Sequence, residues 1–191
     1  MSGTRWLALR ARPAYIRRNQ GSAGARLGRS QDCRHKEGLC MGKPRKVGHL
    51  VLNVSDVEAS TRFYTEVLGF EIAVQRPDGS ATFLTCGEQH HDLALFKAPE
   101  GAEPVHAKGL GLNHFAVNVE NLESLREVYQ RLQQHGVAVS RATDHGMTGS
   151  IYFNDPDGNG IEFYYDMFDS PEAGLAEMRR PGRRNKELVL D

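Results

Sequence analysis

The sequence of 191 residues has no long hydrophobic run, only three cysteines and no net charge. Each of these features argues against a class of structure or partner. Its apolar runs are far shorter than the about 20 residues needed to cross a bilayer, so we expect no membrane partner. Cys33 and Cys40 lie near the N-terminus, which leaves Cys86 alone in the rest of the chain. No disulfide framework is available there, which favours a reducing, cytoplasmic location.

The balanced charge conceals an uneven distribution. Residues 1–40 contain nine basic and two acidic residues, whereas the remaining chain contains 15 basic and 22 acidic residues. A mildly acidic body does not predict a nucleic-acid partner. The Arg-rich, acid-poor start is similar to an organelle transit peptide. We favour translation from Met41 instead, because the codons of residues 36–38 can form a purine-rich ribosome-binding run. Under either interpretation we expect residues 1–46 to be a disordered extension outside the fold.

A gapless internal repeat organises the rest of the chain. The segments GHLVLNVSDVEAS (48–60) and NHFAVNVENLESL (113–125) align with a period of 65 residues. Each copy starts with the alternating pattern of a strand, continues with helical spacing, and ends with three short strand-like runs. The sequence therefore predicts two βαβββ modules, 47–98 and 112–166, in an α+β fold. Because one four-stranded sheet with one helix leaves a face uncovered, we expect the modules to pair into a single domain, 47–166.

Local signals place the ends of several helices. Ser55 is predicted to cap the first helix and Asn121 the second, with Gly136 as the stop signal of the second. Residues 167–191 are predicted to be a C-terminal tail with a helix start at Ser170, at most one short helix, and a solvated basic end.

Two histidines and one glutamate stand at positions typical of metal ligands. His49 and His114 occupy equivalent positions at the heads of the first strands of the two copies. Glu162 lies inside an apolar strand, where a carboxylate is costly unless it is paired or bound to a cation. Ala94 occupies the corresponding position in the first copy, so the repeat predicts one metal site and not two. Two imidazoles and one carboxylate suit Fe(II) with open coordination positions. Mn(II), Zn(II) and Ni(II) also accept this set.

The paired βαβββ modules and the His…His…Glu spacing resemble the vicinal oxygen chelate superfamily, which includes glyoxalases, fosfomycin-resistance enzymes and extradiol dioxygenases. The resemblance implies that the modules form one incomplete, barrel-like domain. The segment TDHGMTGSIYFNDPDGNGIE (143–162) is further similar to the signature of catechol 2,3-dioxygenase-like extradiol dioxygenases. The matching residues are His145, Tyr152, Asp155, Pro156, Gly158 and Glu162.

A second stretch, QHHDLALF (89–96), resembles the part of these dioxygenases in which a histidine near the iron moves protons. The resemblance assigns that position to His91. The adjacent His90 is expected to point to the opposite face, because neighbouring side chains of a strand alternate.

The resemblance implies an Fe(II)-dependent extradiol dioxygenase that cleaves catechol-type diols with O₂ in aromatic compound degradation. The metal ligands would be His49, His114 and Glu162, with Mn(II) as the alternative metal. The catalytic residues would be His91, His145 and Tyr152: His91 would move the substrate proton, and the other two would hydrogen-bond the substrate oxygens. We also expect a homo-oligomer.

Two other functions stay open on the sequence. A glyoxalase- or fosfomycin-resistance-like isomerase or thiol transferase uses the same modules and metal ligands, but does not need the set His91, His145 and Tyr152. A binding module that sequesters a small drug would have no metal, and the intact ligand set disfavours it.

Overall fold

The computed structural model describes residues 44–103 and 110–190. The expectations for a transit peptide and for translation from Met41 therefore lie outside the described residues. Within the described ranges, no helix combines the length and the apolar character needed to cross a membrane.

The first module is a four-stranded mixed sheet with one helix. Its elements are β1 (Leu50–Val54), α1 (Val57–Arg62, continuing as a π-helical turn over Phe63–Val67), β2 (Glu71–Gln75), β3 (Ala81–Thr85) and β4 (Leu93–Lys97). The strand order is β1-β4-β3-β2, with β1 parallel to β4 and the other pairs antiparallel. Asp56, and not Ser55, caps α1: its carboxylate accepts a hydrogen bond from the Ala59 N–H at 2.9 Å.

The second module repeats this arrangement. Its elements are β5 (Phe115–Asn118), α2 (Leu122–Gln134), β6 (Arg141–Asp144), β7 (Thr148–Asn154) and β8 (Gly160–Asp166), followed by α3 (Pro171–Met178) and β9 (Lys186–Glu187). The strand order is β5-β8-β7-β6-β9. The Asn121 side chain caps α2, and Gly136 follows it with a φ of +70°, as predicted. The predicted α+β fold with two βαβββ modules is confirmed, and in the described chain the two sheets do not close into a hydrogen-bonded barrel.

Strand alternation separates a core face from an open face in each sheet. In β1, Leu52 and Val54 are buried in the core, whereas Val51 and Asn53 point to the other side and are exposed. Tyr64 of the first module and Leu125, Val128 and Leu132 of α2 join the same core. The open face of each sheet is therefore available to form a functional site.

The turn before β8 connects the two modules through a buried carboxylate. Asp155 accepts hydrogen bonds from the Tyr64 hydroxyl at 2.9 Å and from the backbone and side-chain N–H groups of Asn159, each at 2.8 Å. Burial, followed by the charge of Asp155, raises the pKa of Tyr64, so its hydroxyl stays a donor. A second link joins the Ser55 N–H to Asp157 at 3.1 Å. The Asp-Pro-Asp-Gly-Asn turn thus fixes the start of β8 against the first module.

The C-terminal tail is more structured than its composition predicts. Ser170 caps α3 as expected, but β9 adds a fifth strand to the second sheet by pairing with β6. Leu188 and Leu190 pack against the core. The basic end is therefore not wholly solvated, because these two leucines anchor it.

Candidate functional site

Four of the predicted residues converge on the open face of the second sheet. β8 runs between β5 and β7, and Glu162 is paired in register with Ala116 of β5 and with Tyr152 of β7. Residues paired in register point to the same face of a sheet, as do residues two apart along a strand. The side chains of His114, Tyr152 and Glu162 therefore lie together.

These side chains form one continuous row of polar contacts. The His114 Nε2 is 3.0 Å from the Glu162 Oε2, and the Tyr152 hydroxyl donates to the Glu162 Oε1 at 2.7 Å. The His145 Nε2 lies 2.8 Å from the same hydroxyl. Since a phenol has one proton and here gives it to the carboxylate, His145 must be the donor in its contact with Tyr152.

The environment of Tyr152 keeps its phenol protonated. Burial raises the pKa of Tyr152, and the hydrogen bond to Glu162 and the negative charge of Glu162 raise it further. A protonated phenol is a hydrogen-bond donor at neutral pH, and here it donates to the Glu162 carboxylate.

His114 is oriented as a metal-binding histidine would be. Its Nδ1 lies 2.7 Å from the Asn113 Oδ1, which accepts the Nδ1 proton. In the neutral tautomer the Nε2 then presents a lone pair to the Glu162 carboxylate, and two such electron donors at 3.0 Å require a proton or a metal cation near them. The local chemistry of this pair fits a divalent metal.

Gly160 allows β8 to lie against the segment that carries His114. A Cβ atom at Gly160 would be 2.5 Å from the Asn113 carbonyl oxygen and 3.2 Å from the His114 Cβ. The first distance is shorter than real Cβ contacts, so any side chain would push β8 away. Because Gly160 has no side chain, β8 can lie close enough for Glu162 to contact His114.

His49 and His91 lie in a separate cluster beside the first sheet, just before β1 and β4. Their ring centroids are 4.6 Å apart, and the His91 ring also contacts the edge of Phe83 at 5.4 Å. Burial, followed by the nearby rings of His90 and His49, lowers the pKa of His91.

The expectation that His90 points away from His91 is wrong. The Nδ1 atoms of the two rings are 2.5 Å apart and the ring centroids 4.5 Å apart. The reason is that β4 begins only at Leu93, so these two residues lie in an irregular loop where strand alternation does not apply.

The structure thus brings together His114, Glu162, Tyr152 and His145, and separately His49 and His91. None of the contacts described joins His49 to His114 or Glu162. In residues 44–103 and 110–190, no group of three or more His, Cys, Asp or Glu side chains is placed to hold a metal ion. The metal triad therefore stays a prediction. A pocket of about 410 Å³ between the edge strands β1 and β5 contains none of the predicted site residues.

Sequence reasoning missed two residues of the second cluster. One is Asn113, which orients His114 and could have been noticed as the polar neighbour of a predicted ligand. The other is Arg141, whose guanidinium carbon lies 3.8 Å from the centroid of the Tyr152 ring. Arg141 is paired in register with Tyr152. A strand-like run was expected over residues 137–143, but its register against the next strand could not be read from the sequence.

The sequence matches one protein superfamily and is similar to enzymes of two kinds. Residues 46–163 match the family described as the Glyoxalase/Bleomycin resistance protein/Dioxygenase superfamily. The chain is 36% identical over 134 residues to biphenyl-2,3-diol 1,2-dioxygenase 3 of Rhodococcus globerulus, which covers 70% of each chain. It is 31% identical over 133 residues to the glutathione transferase FosA of Serratia marcescens, covering 70% of this chain and 89% of FosA.

The chain is also similar to a longer dioxygenase and to a protein of known structure. Identity to the iron-dependent extradiol dioxygenase of Rhodococcus jostii is 32% over 133 residues, covering 61% of this chain and 42% of that protein. A glyoxalase/dioxygenase from Nostoc punctiforme has a similar fold, with a TM-score of 0.57, 24% identity, and coverage of 71% of this chain and 100% of the other.

Proposed function

The chain belongs to the glyoxalase/bleomycin resistance protein/dioxygenase superfamily, and we propose that within it the protein is an Fe(II)-dependent extradiol dioxygenase that acts on catechol-type aromatic diols. The observation that carries the proposal is the row that joins His145, Tyr152, Glu162 and His114. A relative that is 36% identical over 70% of both chains is a biphenyl-2,3-diol dioxygenase, which supports the same reaction class.

The metal ligands in this proposal are His49, His114 and Glu162. When bound, Fe(II) would lower the pKa of the catechol hydroxyls and bring the diol and O₂ together. Asn113 would hold His114 with its Nε2 free for the metal. Mn(II) is the alternative metal for the same ligands.

The remaining residues would handle protons and hydrogen bonds. Tyr152 and His145 would donate to the substrate oxygens, because both are hydrogen-bond donors held beside Glu162. His91 would accept the second substrate proton, and its lowered pKa keeps it neutral and therefore a base. Its position beside His49 supports that role. The cytoplasmic location and the homo-oligomeric state stay predictions.

The test is ring cleavage by the iron-loaded protein. After anaerobic loading with Fe(II), mixing with catechol or biphenyl-2,3-diol in air should give the yellow semialdehyde-type product and consume one O₂ per diol. Glu162→Gln should abolish the colour, whereas Glu66→Gln, on the exposed side of the turn after α1, should not change it. A wild-type protein that binds iron but neither consumes O₂ nor forms colour would refute the proposal.

The match to FosA supports a second candidate, a metal-dependent thiol transferase or isomerase of the glyoxalase and fosfomycin-resistance type. The specific observation in its favour is that the alignment covers 89% of FosA. Turnover of glutathione and fosfomycin with Mn(II), without ring cleavage, would decide for this candidate. This function gives no role to His145, so His145→Ala should then keep full activity.

A further inference from the structure

We propose that Arg141 and the pocket beside it form a subsite for a carboxylate on the ring of a catechol-type substrate. This inference rests on the proposed function, because it names the substrate class for the same site. It also predicts that this substrate differs in charge from biphenyl-2,3-diol, which is neutral.

The pocket adjoins the row of site residues and carries positive charge. It has a volume of about 300 Å³, and its lining includes Asn113, His114, Arg141, Tyr152 and Gly160. Among the residues that the structure describes, neither Asp nor Glu lines it, and Arg141 is its one lysine or arginine. An anion that enters this pocket would therefore meet a cation without a competing carboxylate.

The guanidinium of Arg141 is held in place but is not neutralised. It stacks on the Tyr152 ring at 3.8 Å, and Arg141 is exposed. Within the described ranges, its side chain has no hydrogen bond or ion pair with another residue. Stacking leaves the N–H groups at the edge of the plane available, and their fork geometry matches the two oxygens of a carboxylate.

Tyr152 sets the distance between the two ends of the substrate. Its hydroxyl contacts Glu162 and His145, while its ring lies under Arg141. A diol bound near the hydroxyl would therefore have its substituent near the guanidinium. The pocket of about 300 Å³ beside that hydroxyl has room for a small substituent of the ring.

Binding to the metal-free protein tests the subsite without any turnover. Titration calorimetry with 3,4-dihydroxybenzoate and with catechol should show at least about tenfold tighter binding of the carboxylate. Arg141→Gln should remove the difference, and Arg141→Lys should keep part of it. Arg76→Gln is the matched control, because Arg76 also stacks on an aromatic ring, that of Phe96 at 5.2 Å, but on the other sheet.

Turnover by the iron-loaded protein separates failure of the subsite from failure of the proposed function. The ratio of kcat/KM for 3,4-dihydroxybenzoate to kcat/KM for 4-methylcatechol should fall at least tenfold in Arg141→Gln and stay unchanged in Arg76→Gln. Tighter carboxylate binding that depends on Arg141, with no ring cleavage of either diol, would refute the proposed function and keep the subsite. Equal binding of both diols by wild type and Arg141→Gln would overturn the subsite, whatever the turnover.

Discussion

At the scale of single residues, the second-sheet cluster depends on one phenol and one glycine. The Tyr152 hydroxyl connects His145 with Glu162, and Gly160 allows the strand that carries Glu162 to approach His114. The resemblance of the 143–162 segment singled out Tyr152 as a candidate, and its catalytic role stays a prediction. The sequence did not predict the role of Gly160, because the need for a missing Cβ appears only when the two strands lie side by side.

Replacing Tyr152 by Phe should lower turnover but preserve the fold. The change removes one hydroxyl, so His145 loses its acceptor and Glu162 its donor, while the ring under Arg141 stays. We expect kcat for ring cleavage to fall by about 10²- to 10³-fold, the usual effect of losing one donor to a developing negative charge. Tyr129→Phe on α2 is the control. Unchanged kcat in Tyr152→Phe would show that this hydroxyl does not act in the reaction.

Replacing Gly160 by Ala should weaken metal binding as well as stability. The new Cβ would be 2.5 Å from the Asn113 carbonyl oxygen, so β8 must shift away from His114. We expect a loss of about 1–3 kcal/mol in the free energy of unfolding, measured by urea denaturation, with a higher Kd for Mn(II).

Gly174→Ala is the matched control for that change. Gly174 lies in α3, and a Cβ there would meet nothing within 4 Å, so the substitution should be neutral or slightly stabilising. If Gly160→Ala binds Mn(II) as tightly as Gly174→Ala, the spacing of these two strands does not control the metal site.

At the scale of elements, the internal repeat and the alternation of apolar residues in its strands were sufficient to predict the two modules. The helix cap, the His90–His91 pair and β9 were not predicted correctly, and each has a local physical reason. Asp56 took the cap position from Ser55, since both side chains can cap and only the backbone geometry decides between them. The His90–His91 pair lies outside the strand whose alternation was extended to it. The pairing of β9 with β6 is a long-range contact between short polar segments, and such pairing leaves little periodic signal.

Replacing Tyr64 by Phe should loosen the connection between the modules. Asp155 is buried and would lose the hydroxyl donor while keeping its contacts with Asn159. We expect a loss of about 1–3 kcal/mol in the free energy of unfolding, because the buried carboxylate loses one of the two donors to its Oδ2 and keeps only the Asn159 side chain there. Urea denaturation would measure the loss, with Tyr129→Phe as the control. A change below about 0.5 kcal/mol would show that this hydrogen bond contributes little to module pairing.

At the scale of the whole molecule, the proposed metal ligands are divided between the modules. His49 directly precedes β1 of the first module, whereas His114 and Glu162 belong to the second module, where they contact each other. A metal ion bound by all three would therefore connect the two modules, in addition to the buried Tyr64–Asp155 contact. Metal binding would then stabilise the folded domain as well as prepare it for substrate.

This division predicts a stabilisation by metal that requires both modules. Mn(II) at about 100 times its Kd should add about 2.7 kcal/mol to the free energy of unfolding. For a domain of this size that corresponds to a rise in Tm of about 5–10 °C, measured by calorimetry, with one metal per chain by titration. His49→Ala and Glu162→Ala should each remove most of the rise, because each deletes a ligand from a different module. His135→Ala, at the exposed end of α2, should keep it. If His49→Ala keeps the full rise, the metal is held by the second module alone, and the two histidine clusters act independently.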